Sequence, residues 1–204
     1  MNDWAYFDYA ASTPIDPEIL EIYQQSLQKH FANSGAFYDL AKESANKIFD
    51  ARKEFASALL ATEADEIIWT ASATEANNLA IKGVCLHKDV REARLITLQS
   101  EHKSVLDAAG SLLRQNVKVE VLPVQSNGLV DLNQLENCLK EKKTTLVSIM
   151  AVNNETGVIQ PLTEIANLAH KFGAKFHIDA TQALGKIPIN LQEWDCDLAS
   201  FSAH

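Results

Sequence analysis

The sequence predicts an α/β protein: a mostly parallel sheet with helices on both faces, preceded by an amino-terminal helical segment. From Glu66 onward, short apolar runs alternate with longer stretches whose apolar residues recur at helical spacing. Several of the longer stretches open on a capping residue or proline, and one closes on glycine. Polar clusters follow many of the apolar runs directly. This rhythm argues for parallel strands joined by helical crossovers.

The elements follow in order. An aromatic segment over residues 4–9 reaches Asp8 and a small-residue turn, Ala10-Ala11-Ser12-Thr13-Pro14. Asp16 before Pro17 marks a helix start, because the carboxylate caps free N–H groups and proline has none to lose there. Ile19, Leu20, Ile22, Tyr23 and Leu27 then form one apolar face. Asn33-Ser34-Gly35 is a loop. Residues 40–60 read as a long helix with Ile48, Phe49, Phe55, Leu59 and Leu60 as its apolar positions. The alternation begins with a strand over Ile67-Ile68-Trp69-Thr70 and a helix over 74–86. A strand over 94–98 leads to a helix over 103–115. A strand over 117–122 leads to a helix that Asp131 caps and that runs to about Lys140. A strand over 146–151 precedes a helix opened by Pro161 and closed by Gly173. Further strands are expected over 174–178 and 198–202.

Bulk properties narrow the function. The 204 residues are 47% hydrophobic and 22% charged, which suits a globular protein with a core of normal size. A net charge of −9 argues against nucleic-acid or anionic-membrane partners, which select clustered Lys and Arg. Cys85, Cys138 and Cys196 are odd in number and far apart, with no metal-type spacing, so a reduced, cytoplasmic setting is expected. Met1-Asn2-Asp3-Trp4 lacks the basic and apolar regions of a signal peptide, and no apolar run approaches spanning length.

Five polar clusters carry the chemistry. Thr70-Ala71-Ser72-Ala73-Thr74-Glu75-Ala76-Asn77-Asn78 follows a strand and opens a helix, where free N–H groups and the helix dipole favour an anion. The turn reads equally as a well-capped helix start. Glu101-His102-Lys103 places an imidazole in a strand-to-helix loop, suited to stacking or proton transfer and equally to capping. Val152-Asn153-Asn154-Glu155-Thr156-Gly157 offers tandem amides that orient a ligand or make a turn. Asp179 closes an apolar run, with Gln182 just after it, and Ser202 stands beside His204. Such a set at strand ends suggests one pocket. Its ligand carries a phosphate, a stackable ring, a ring nitrogen for a carboxylate and a ring oxygen for an amide. Pyridoxal 5′-phosphate has all four.

The segments Asp8-Tyr9-Ala10-Ala11-Ser12-Thr13-Pro14, Ala73-Thr74-Glu75-x-x-Asn78, Glu101-His102-Lys103, Val152 to Gly157, His177-Ile178-Asp179-Ala180-Thr181-Gln182 and Ser200-Phe201-Ser202-Ala203-His204 occur in that order. Together they resemble the cysteine desulfurases of the NifS/IscS type, in the class V aminotransferase superfamily. The resemblance covers the whole 204 residues and the amino-terminal half of a family member. It implies the type I fold of pyridoxal-phosphate-dependent transferases. Residues 1–60 would be an arm and helices belonging to the small domain, and 61–204 the first part of the large cofactor-binding domain.

The resemblance also implies roles. Ala73, Thr74, Ser202 and His204 would hold the phosphate. His102 would stack on the ring and move protons as the catalytic residue. Asp179 would pair with the pyridine nitrogen, Gln182 would bond the phenolic oxygen, and Asn154 would lie near that oxygen and the substrate. The implied reaction takes sulfur from L-cysteine, leaving L-alanine and an enzyme persulfide for iron–sulfur or thio-cofactor assembly. A homodimer and a sulfur-accepting or iron–sulfur scaffold protein are the implied partners, with no metal in the site. The alternatives are another class V enzyme such as a selenocysteine lyase, or a non-catalytic fragment or scaffold relative.

The chain departs from the family at Ser72 and Ala203, where glycine is usual, at Tyr38, where histidine is common, and in a loop at residues 33–35 without proline. The Schiff-base lysine is expected directly after His204 and the persulfide cysteine farther on. The 204 residues alone are therefore not expected to be competent.

Overall fold

The computed structural model describes residues 5–60, 63–87 and 91–204. The chain forms two compact units, one reaching Trp69 and including His204, the other running from Thr70 to Ala203. The domain boundary expected after residue 60 adjoins residues 61 and 62, outside the described part. Trp4 of the aromatic segment also lies outside it.

In the first unit, Tyr6 is tied by its hydroxyl to the carbonyls of Asp8 and Ser12, at 2.7 and 3.1 Å. Helix α1, Pro17–Lys29, starts where Asp16 accepts from Glu18 N–H at 2.9 Å. It buries no residue, so its apolar face stands open. Helix α2, Asp39–Ala58, buries Ala41, Ser44 and Ala56. A single 3-10 turn, Ala64–Glu66, follows. The strand expected over 67–70 does not form: these residues belong to no ladder among the described residues, and Ile68 is 67% exposed. An apolar run becomes a strand only where another strand edge receives its hydrogen bonds.

The second unit holds the sheet. Helix α3, Ala73–Leu86, leads to strand β1, Arg94–Leu98, then α4, Lys103–Leu113, and β2, Lys118–Leu122. Next come α5, Leu132–Glu141, β3, Leu146–Met150, α6, Leu162–Lys171, and β4, Lys175–Asp179. The short α7, Leu191–Trp194, leads to β5, Leu198–Ser200, two residues shorter than the expected strand. The five strands lie in the order β2-β1-β3-β4-β5 and every neighbouring pair is parallel. The sheet thus reverses its direction of growth between β1 and β3, the kind of switch point at which open parallel sheets gather ligands.

Strand alternation sorts the side chains into two layers. Ile96, Leu98, Val147, Ile149, Phe176 and Ile178 pack with α5 and α6 on one face. Leu95 and Leu146 pack with Ile81 and Cys85 of α3 and with Val105, Ala108 and Leu112 of α4 on the other. The second face also carries polar residues. His177, fully buried, has Nδ1 2.8 Å from Ser148 Oγ and Nε2 2.9 Å from Ser200 Oγ, a side-chain ladder across β3, β4 and β5. Among the described residues no helix is long and apolar enough to cross a membrane.

Candidate active site

Asp179 ends β4 and is 3% exposed. A buried carboxylate is costly unless donors meet it. Its Oδ1 accepts from Thr181 N–H at 3.0 Å and its Oδ2 from the Asn77 amide at 2.8 Å. The second bond sets the first turns of α3 beside the carboxyl end of β4. A carboxylate has about four acceptor positions, so these two bonds leave room for further donors.

The start of α3 is built by a reciprocal cap. Ser72 Oγ accepts from Glu75 N–H at 3.2 Å, and the Glu75 carboxylate accepts from Ala71 N–H at 2.6 Å. This satisfies the third N–H of the helix and leaves those of Ala73 and Thr74, which no helix pairs internally. The turn is a proper cap, and it retains the two donors an anion uses.

His102 is the N-cap of α4, its Nδ1 accepting from Ser104 N–H at 3.2 Å. Capping employs one ring nitrogen, so it does not exclude a ligand at the other. Glu101, 5% exposed, accepts from Met150 N–H at 2.9 Å across the β1/β3 join. Burial pushes its carboxyl well above the usual range; the Met150 bond opposes this, and the charge of Asp179 adds to it.

The tandem amides divide their labour. Asn153 Oδ1 accepts from Glu155 N–H, Thr156 N–H and the Thr156 hydroxyl, at 3.0, 2.8 and 3.0 Å. Its Nδ2 donates to Ser100 O at 2.8 Å, tying this loop to the end of β1. Asn153 is therefore the pin of the turn, and half-buried Asn154 is not used in making it. Gln182, half-buried in the turn after β4, accepts from Lys186 Nζ. Ser202 lies two residues past β5, and His204 groups with the first unit.

The second unit strands four buried side-chain atoms without a hydrogen-bond partner among the described residues: Asn77 Oδ1, Ser100 Oγ, Glu101 Oε2 and Thr181 Oγ1. All four lie around the ends of β1 and β4. Each such group costs about 1–3 kcal/mol, and their concentration at one edge marks a polar site rather than a packing layer. The cysteines do not belong to it. Burial pushes the Cys85 thiol up to about 12 and the Cys196 thiol up to about 11. The Cys138 thiol is raised too, by burial and the neighbouring Glu120. A nucleophilic cysteine needs the opposite shift.

Sequence reasoning placed Asn77 in the first polar cluster without giving it a role, and missed Ser104. Asn77 Nδ2 also reaches Ser104 Oγ, at 3.0 Å, and Ser104 Oγ lies 2.8 Å from His102 Nδ1. The available signal was periodicity: Asn77 continues the buried stripe of Ile81 and Cys85, and Ser104 heads that of Val105, Ala108 and Leu112. A polar residue on a buried stripe needs a partner.

Residues 5–204 match the family model described as aminotransferase class-V. The chain is 44% identical over 200 residues to a protein named cysteine desulfurase IscS from Rickettsia bellii (strain OSU 85-389), covering 98% of this chain and 48% of that protein. The structure described as SspA in complex with cysteine superposes with a TM-score of 0.92 at 38% identity, covering 98% of this chain and 57% of that one. A NifS-like protein does so with a TM-score of 0.92 at 37% identity, covering 98% and 55%. The chain spans about half the length of the curated relatives it matches.

Proposed function

The chain belongs to the class-V aminotransferase family, and on that premise we propose that it forms the cofactor-binding part of a cysteine desulfurase. The whole protein would take sulfur from L-cysteine, leaving L-alanine and an enzyme persulfide for iron–sulfur cluster or thio-cofactor assembly. The observation that carries this reading is Asp179, an almost fully buried carboxylate at a strand end with two bonds made and room for further donors. The stranded polar atoms around it fit a polar ligand better than an apolar one. Relatives named cysteine desulfurase, and one solved with cysteine, support the substrate.

Pyridoxal 5′-phosphate, when bound, supplies a protonated pyridine ring that draws electrons from the substrate's α-carbon. The chain's own residues hold and orient it. The N–H groups of Ala73 and Thr74 bind the phosphate at the positive end of α3. The resemblance assigns the same anion to Ser202 and His204, and that assignment rests on sequence alone. Asp179 accepts from the ring N–H, and its negative charge keeps that proton in place. Gln182 bonds the ring oxygen, with Asn154 close by. His102 would meet the ring, and its imidazole suits the transfer of a proton during turnover. A homodimer and a sulfur-accepting protein complete the reading, carried by the family, and a cytoplasmic setting, carried by the three scattered cysteines.

The test is direct. The full natural protein, incubated with the cofactor, should develop a visible absorbance band in proportion to chain. Given L-cysteine and a reductant, it should then release sulfide and alanine in equal amounts. A full-length protein that takes up no cofactor would sink the reading.

A further inference from the structure

Asp179 and His102 are joined by two buried residues that have no role in the reading above. As a carboxylate, Asp179 only accepts hydrogen bonds. The Asn77 atom 2.8 Å from its Oδ2 is therefore the amide nitrogen. That nitrogen's second hydrogen meets Ser104 Oγ at 3.0 Å. With its oxygen accepting there, the Ser104 hydroxyl turns its own proton toward His102 Nδ1, 2.8 Å away. The backbone N–H of Ser104 points at the same nitrogen, at 3.2 Å. Two donors on Nδ1 require a lone pair there, and the neutral ring then carries its proton on Nε2.

We propose that Asn77 and Ser104 are positioning residues: they carry the orientation imposed by the Asp179 carboxylate to His102 and hold it as the Nε2–H tautomer. His102 then meets a ligand as a hydrogen-bond donor through Nε2. That the ligand is the cofactor with its substrate rests on the proposed function; the tautomer does not.

Packing alone explains neither residue. Asn77 is fully buried, yet only its NH2 end is used and Oδ1 has no partner among the described residues. An apolar side chain would fill the place without a stranded Oδ1, but it would take a donor away from both Asp179 Oδ2 and Ser104 Oγ. Ser104, 6% exposed, heads a stripe on which Ala108 and Ala109 serve without a hydroxyl. What both supply is an ordered row of donors, each direction fixed by the one before it.

The test uses the full natural protein with 15N-labelled histidine, before and after addition of pyridoxal 5′-phosphate. In the cofactor-free protein, long-range proton–nitrogen correlation should give His102 a protonated Nε2 and an unprotonated, hydrogen-bonded Nδ1. Asn77→Leu leaves Ser104 and His102 in place but frees the hydroxyl. It should move the Nδ1 resonance toward that of a nitrogen without donors and populate the Nδ1–H form. Ser104→Ala should move the resonance the same way. A wild-type His102 protonated on Nδ1 overturns the proposal, and that measurement needs no variant to fold. An Nδ1 signal unmoved in an Asn77→Leu protein with native circular dichroism overturns it as well. Failure to bind the cofactor would instead count against the functional reading, because the tautomer is measured without it.

Discussion

Asn77 and Asp179 are 102 residues apart in sequence, and the amide of the first donates to the carboxylate of the second over 2.8 Å inside the protein. The bond helps hold the charge of Asp179 where water does not reach it, 3% exposed. A charge kept in so dry a place acts strongly on whatever stands next to it.

Asp179→Asn keeps the shape of that side chain and removes the charge. The full natural protein should keep its fold by circular dichroism and, on the proposed function, lose at least about a hundredfold in kcat for alanine formation from L-cysteine. Near-normal turnover would refute the role given to Asp179.

His177 sets an acid limit on stability. Burial lowers its pKa to about 4 from an ordinary 6.5, against the pull of the Asp179 charge. The other groups that face it, Ser148 and Ser200, are neutral. Its folded value lies below its unfolded one, so its contribution is complete above pH 6.5 and is lost as pH falls through about 4. That interval is worth on the order of 3 kcal/mol. Urea unfolding at stepped pH should show the slope in the native protein and a flatter one in His177→Gln. Equal slopes would exclude His177 as its source.

His170 works in the other direction. Partial burial lowers its pKa, but Asp197 at 2.9 Å and Asp195 at 3.2 Å outweigh this and hold it above the ordinary value. Lys175 also faces Asp197, at 2.8 Å. With the folded value raised, the contribution is present below pH 6.5 and is lost as pH rises through the folded pKa. Because a third of the ring meets solvent, the effect should stay below about 1 kcal/mol. In His170→Gln the loss of stability above pH 6.5 should be smaller; an unchanged alkaline slope would refute it.

Arg94, 3% exposed, fastens the amino-terminal edge of the sheet. Its guanidinium bonds the carbonyls of Cys138 and Lys142 at 2.8 and 3.1 Å and pairs with Glu120 of β2. One ammonium cannot reproduce that fork. Arg94→Lys should cost about 2–3 kcal/mol in denaturant unfolding while leaving cofactor affinity unchanged, the site being at the opposite edge. A loss under half a kcal/mol would show that the lysine finds equivalent partners.

The sheet was most legible where its strands are buried on both faces, as β1 and β3 are. Arg94 to Leu98 forms a strand over the very residues expected, since a short apolar run bounded by polar loops has few other uses. Ile67 to Thr70 has the same look and forms none, because pairing is decided by a neighbour that the run itself does not encode. The strand-end positions Asp179 and His102 could be marked from their place after apolar runs. Asn77 could not be matched to Asp179, because a polar residue on a buried stripe announces that it needs a partner and not which one.

The strand order also bears on how the protein assembles itself. Within β1–β2, β3–β4 and β4–β5, the pairing residues are linked by a single helix and its loops, as Arg94 is to Lys118 and Leu146 is to Lys175. The β1–β3 pairing instead brings Leu95 to Leu146 across two helices and a whole strand. Loop-closure entropy makes that the slowest of the strand pairings to establish. The two halves of the sheet should therefore consolidate first and meet along the seam where Glu101 reaches Met150. The crevice bearing the candidate site would be the last part of the sheet to close.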